Sequence, residues 1–127
     1  MIAKPLIVLT AAIFFLYGLV FLCCPRETLQ FVVQASINSS SGVTDVRATY
    51  GGMSVGISIV LYLLAREEDT LTLGLLSVFI LMITMAFGRI VGMVVDGAPN
   101  VFMYAYLALE LITSALALLL LQIRRDQ

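Results

Sequence analysis

The residue with the sharpest chemical consequence is Arg89, a fixed positive charge inside the longest apolar run of the chain. A carboxylate, Glu110, stands inside the apolar run that follows. A charge left alone at membrane depth costs at least ~2.5–3.5 kcal/mol, so the question is whether the two can neutralise each other. Arg89 precedes Asp96 by seven residues, about 10 Å of helix. Glu110 follows Val101 by nine residues, about 13 Å from the same end of an antiparallel neighbour. The charges therefore sit at nearly matching depth, and the planar guanidinium fork suits a carboxylate through two hydrogen bonds. Asp96 is two helical turns from Arg89 and shares its face. Asp45 and Arg47 lie just outside the start of the second apolar run, with Tyr50 one turn further in. Arg47 is expected to meet Asp96. Asp45, Arg47, Tyr50, Arg89, Asp96 and Glu110 are thus expected to form one polar cluster near one membrane surface. Such a cluster either pins helix register as a self-neutralising structure or lines a small outward-facing cavity for a ligand head group or partner.

Other chemistries are poorly served. The chain has no histidine, which removes histidine-ligated haem, the commonest zinc sites and the usual proton-transfer group near neutral pH. Metal-ligand spacings, cofactor motifs and catalytic constellations are missing from the sequence. No metal, cofactor or catalytic residue is expected, and an enzyme is disfavoured. A net charge of -1 gives no basic footprint for nucleic acid. Cys23 and Cys24 are adjacent, which is not the CxxC redox spacing, and no other cysteine exists to resolve them. They read as ordinary buried thiols. Acylation is argued against by their expected outer position.

The elements that must hold the cluster follow from composition. Hydrophobic residues make up 61% of the 127 residues and charged ones 12%, with a mean hydropathy of +1.09. A soluble domain is nearer half apolar and a quarter charged, so this is an integral membrane composition with room for a single domain, 1–127. Four runs are long enough to cross a bilayer: Pro5–Leu22, Ala48–Ala65, Leu71–Val95 and Val101–Leu121. Backbone groups in lipid must be satisfied internally, and two-residue alternation is lacking, so the runs are helices. The first run resembles a signal peptide but lacks a small-x-small cleavage site, and is read as a retained helix. The fold expected is all-α: an integral membrane four-helix bundle with a short interfacial segment between helices one and two.

In that segment Pro25 and Glu27 suit a helix start. Leu29, Phe31, Val32 and Val33 would then rest on the membrane surface, and Asn38–Gly42 reads as a flexible link. An ordered loop over Pro25–Val43 is the alternative. Asp69 or Thr70 is positioned to cap the third helix, Gly97 to end it, and Asn100 to cap the fourth. Short connections make neighbours antiparallel. Placing both termini in the cytoplasm puts Lys4, Arg66, Arg124 and Arg125 inside against Arg26 and Arg47 outside. Gly52 and Gly56, and again Gly88 and Gly92, have the GxxxG spacing that lets helix backbones approach. They are expected at contacts between helices two and three, or at a dimer seam. Ser54, Ser58, Thr84, Thr113 and Ser114 are expected to bond their own helix backbones, and Tyr104 and Tyr106 to anchor at the interface.

Three blocks together carry a family resemblance. They are Asp45-Val-Arg-Ala-Thr-Tyr-Gly-Gly52, then Gly88-Arg-Ile-Val-Gly-Met-Val-Val-Asp-Gly97, then Glu110 in the last helix. Over almost its whole length the chain resembles the domain of unknown function 4345 family of small bacterial membrane proteins. The resemblance implies a four-helix protein of the bacterial inner membrane and brings no catalytic residues with it. Its motif positions are Asp45, Arg47, Tyr50, Gly51, Gly52, Gly88, Arg89, Gly92, Asp96, Gly97 and Glu110, which overlap the cluster derived from depth. The four-helix layout is also loosely similar to the DoxX-type membrane proteins.

Three functions compete. The first is a multi-pass membrane protein binding a lipid-like or small apolar ligand at the outward-facing cluster. The second is a non-catalytic accessory or scaffold subunit, meeting a membrane protein partner or a second copy of itself through glycine-rich faces. The third is a small transporter with Glu110 as its titrating group.

Overall fold

A computed structural model describes residues 2–125. Among these the chain is helical throughout its ordered elements and contains no strand. In order they are α1 (Ala3–Cys23), α2 (Pro25–Val33), α3 (Ser40–Val46), a π-helical segment (Arg47–Gly52), α4 (Met53–Arg66), a 3₁₀ turn (Glu68–Thr70), α5 (Leu71–Val95) and α6 (Val101–Arg125). Four stretches are long and apolar enough to cross a membrane: Ala3–Cys23, Ser40–Arg66, Glu68–Val95 and Val101–Arg125. Contacts divide the chain into two compact units, Val8–Leu63 and Met1–Ile7 with Leu64–Gln127.

The Val8–Leu63 unit holds the segment expected to lie on the membrane surface between helices one and two. Pro25 opens α2, Glu27 sits in its first turn, and Gln34 ends it in the left-handed conformation. The helix buries Pro25, Leu29 and Val32, one stripe at helical spacing, and leaves Phe31 and Val33 exposed. Leu29 packs with Phe21 and Val46, flanked by Tyr17, Ala35 and Ile37. Asn38–Gly42 is not a flexible link. The Ser39 hydroxyl accepts from the Gly42 amide at 3.0 Å, and helix begins at Ser40. Capping by serine satisfies an otherwise orphaned amide and converts a polar run into a helix start. The second long helix is therefore longer than the apolar run that signals it. Cys23 and Cys24 are exposed rather than buried, because they occupy the break between α1 and α2.

The other unit is dominated by α5 against α6. The stripe Leu71, Gly74, Leu75, Val78, Met82 and Ala86 is buried on α5, and Glu110, Ser114, Ala117 and Leu121 on α6. A Cβ on Gly74 would lie 2.8 Å from Ile7 Cδ1, so glycine is needed there for close approach. Thr70 occupies the cap position of α5, but its hydroxyl donates to the carbonyls of Leu64 (2.7 Å) and Glu67 (3.0 Å) and caps nothing. At the other end Gly97 turns the chain with φ +95°, and the Asn100 side-chain oxygen accepts from the Met103 amide at 3.2 Å. The buried seam stops at Ala86 on α5 and resumes at Glu110 on α6. No residue from Phe87 to Leu109 is buried.

Candidate functional site

The limit of that seam is where the internal charges stand. Arg89 is one turn beyond Ala86, and its Nε donates to both carboxylate oxygens of Glu110, at 2.8 and 3.0 Å. The Arg89 side chain is 22% exposed and that of Glu110 only 6%. The carboxylate thus closes the top of the apolar seam, and the guanidinium covers it. Nε–H alone serves both oxygens, so the pair is not the two-armed fork that the residue types permit. The end of the guanidinium has other neighbours. Nη1 lies 3.0 Å from Met103 Sδ, a weak acceptor, and Cζ sits 4.9 Å above the Tyr106 ring. Met103 belongs to the first turn of α6 and Glu110 to its third. The guanidinium therefore extends from its buried partner toward the α5–α6 turn.

Beyond the pair lies an open cleft of about 480 Å³. Its lining includes Met85, Gly88, Arg89, Gly92, Asp96 and Met103, with the turn residues Gly97 to Pro99 at its rim. Gly88 and Gly92 line this space instead of seating a helix. A Cβ on Gly88 would meet nothing within 4 Å, and one on Gly92 only Asp96 Oδ2, at 3.7 Å. Gly52 and Gly56 likewise meet nothing within 4 Å. In the Val8–Leu63 unit, Gly18 and Gly51 are in tight helix contact, as Gly74 is in the other. A Cβ on Gly18 would stand 2.8 Å from the Gly51 carbonyl oxygen, and one on Gly51 would stand 2.8 Å from Leu22 Cγ. Of the glycines singled out in the sequence, Gly51 is packed, Gly97 makes a turn, and Gly88 and Gly92 make room. Gly18 and Gly74 were missed, since neither has a GxxxG partner.

Asp45, Arg47 and Tyr50 belong to the other unit, on and beside the π-helical segment. Arg47 Nη1 donates to the Leu22 carbonyl, near the C-terminal end of α1, where a cation is favoured. Tyr50 stacks on Phe21 with ring centroids 5.2 Å apart. The Asp45 carbonyl accepts from the Thr49 hydroxyl at 2.7 Å, and Asp45 flanks a shallow surface groove with Ser40, Ser41 and Thr44. A π turn gives more than four residues per turn. Here it brings Gly51 against Leu22 while Arg47 reaches the carbonyl of the same residue. Among the described residues no group of three or more cysteine or acidic side chains is arranged to hold a metal ion.

No curated protein and no solved structure matches the chain. A protein-family model does, over residues 2–121, a span that contains the cleft, the Arg89–Glu110 pair and the π-helical segment. The chain belongs to the family described as Domain of unknown function (DUF4345).

Proposed function

We propose that this chain is a non-catalytic membrane protein whose α5–α6 cleft binds a lipid-like or small apolar molecule, with the polar end of the ligand at Arg89. The observation that carries the reading is the cleft itself. Ligand sites of about 300–1,000 Å³ combine apolar walls with a few placed polar groups. This one offers methionine side chains, two bare glycine positions and a guanidinium that its carboxylate partner does not exhaust. Methionine side chains adapt to irregular apolar ligands at small cost. We place the protein in the bacterial inner membrane, as the family resemblance implies, and both termini in the cytoplasm, from the lysine and arginine distribution, so that the cleft opens outward.

The test fills the cleft without touching a charge. Gly88→Leu adds a side chain where nothing lies within 4 Å. Native mass spectrometry of the mildly extracted full-length protein should show a discrete bound mass in the wild type and none in Gly88→Leu, with helicity unchanged. A bare wild-type protein, or an adduct undiminished by the leucine, contradicts the reading.

A second reading, an accessory subunit docking through helix contact, draws on Gly52 and Gly56. They present open small-residue positions on the second long helix. Co-purification of a defined membrane protein after gentle crosslinking, lost in Gly56→Leu, would favour it.

A further inference from the structure

The cleft carries information about the head group as well as about the tail. We infer that it selects a zwitterionic head group, with an anionic group on Arg89 and a primary ammonium on Asp96. The inference rests on the binding role proposed above.

Arg89 and Asp96 line the same cleft. They carry opposite charges, yet the ion pairs among the described residues are Arg89–Glu110 and Arg124–Glu68, and none joins Arg89 to Asp96. Gly92 lies between them on the shared face of α5. The position of a Cβ on Gly92 is 3.7 Å from Asp96 Oδ2, so the carboxylate folds back along the helix, over the glycine and into the cleft. Two opposite charges thus face one space across a gap that a side chain at position 92 would narrow.

The groups on either side of the gap set what fits it. Nη1 of Arg89 rests on a thioether, and an anionic oxygen would replace that weak contact with a charge-assisted hydrogen bond. A purely anionic head group would meet the Asp96 carboxylate, and a purely cationic one would leave Nη1 of Arg89 on its thioether. An uncharged head group would cover both and satisfy neither. The ammonium is a primary one because a carboxylate needs N–H donors, which a quaternary ammonium lacks. The cleft lining also contains no aromatic ring of the kind that holds quaternary ammonium groups. Arg89 and Asp96 are two turns apart, about 10 Å along the helix. Asp96 leaning back toward Gly92 and the reach of the Arg89 side chain toward the turn both shorten that span, as a head group carrying its two charges a few atoms apart requires. This chemistry could arrive as a phospholipid head group or as a free soluble zwitterion. Met85 and Gly88 continue the cleft on the apolar side of Arg89, where an acyl chain would lie. The structure therefore favours the lipid.

The experiment offers the full-length protein equal amounts of phosphatidylethanolamine, phosphatidylcholine, phosphatidylglycerol and diacylglycerol in mixed micelles, with retention read by native mass spectrometry. The wild type should retain phosphatidylethanolamine about tenfold over each of the others. Asp96→Asn, an exposed and nearly isosteric change, should abolish the advantage over phosphatidylcholine and phosphatidylglycerol while lipid remains bound. Retention of all four lipids alike, or a preference that Asp96→Asn leaves intact, overturns the zwitterion inference and leaves the binding role standing. Retention of none overturns both. Displacement of the lipid by an equal concentration of free phosphoethanolamine overturns the choice of a lipid over a soluble zwitterion.

Discussion

Glycine serves opposite ends in two regions of this molecule. Beside the π-helical segment, Gly18 and Gly51 let backbone approach backbone, and an added methyl would lie 2.8 Å from a carbonyl oxygen or a side-chain carbon. At the α5–α6 turn, Gly88 and Gly92 hold space open beside a charged pair. The first region is closed by aromatic stacking and by an arginine bound to a helix-end carbonyl. The second has no buried residue from Phe87 to Leu109 and is bounded below by an ion pair. Small residues at helical spacing are therefore not enough to identify a packing seam. What lies opposite each glycine decides whether it permits contact or prevents it.

The contrast breaks most sharply at the ion pair. Arg89→Ala should cost about 3–5 kcal/mol, because it leaves the Glu110 carboxylate buried without its partner. Thermal unfolding in detergent would measure it, and a loss near zero would mean that the pair does not close the seam. A matched pair of glycine changes sharpens the comparison. Gly18→Ala should destabilise by about 1–3 kcal/mol, since two of the atoms its methyl meets, the Gly51 carbonyl oxygen and the Val55 amide nitrogen, are backbone and cannot rotate away. Gly88→Ala should be neutral or stabilise by about 0.5–1 kcal/mol, because alanine is the better helix former and the space beside it is empty. Equal effects at the two positions would erase the distinction between closed and open glycines.

The α5–α6 hairpin was legible in the sequence because its signals are local and agree. Two long apolar runs are joined by a short turn, with Gly97 to end one helix and Asn100 to cap the next. A short turn fixes an antiparallel register, so depth arithmetic alone puts Arg89 level with Glu110. Depth says nothing of rotation about a helix axis. Hence the single-nitrogen geometry, the contact to Met103 and the glycine lining of the cleft were out of reach. The expected cluster of six residues also needs lateral contacts, which depth does not supply. Arg47 and Tyr50 have local partners of their own. The helix start at Ser40 was hidden because a serine-rich run reads as a linker, until one serine hydroxyl is seen to cap the next turn. The tight glycine contact was hidden because Gly18 and Gly51 are distant in sequence and share no motif.

Arg89 serves either a ligand in the cleft or Glu110 alone, and the exchange of the two charges, Arg89→Glu with Glu110→Arg, separates these most directly. The doubly exchanged protein should regain most of the thermal stability lost by either single change, because the pair re-forms across the same two helices. Its bound adduct in native mass spectrometry should nevertheless be absent, since a carboxylate then faces the cleft where a guanidinium stood. An exchanged protein that recovers both stability and adduct would contradict the account and leave Arg89–Glu110 as a purely structural pair.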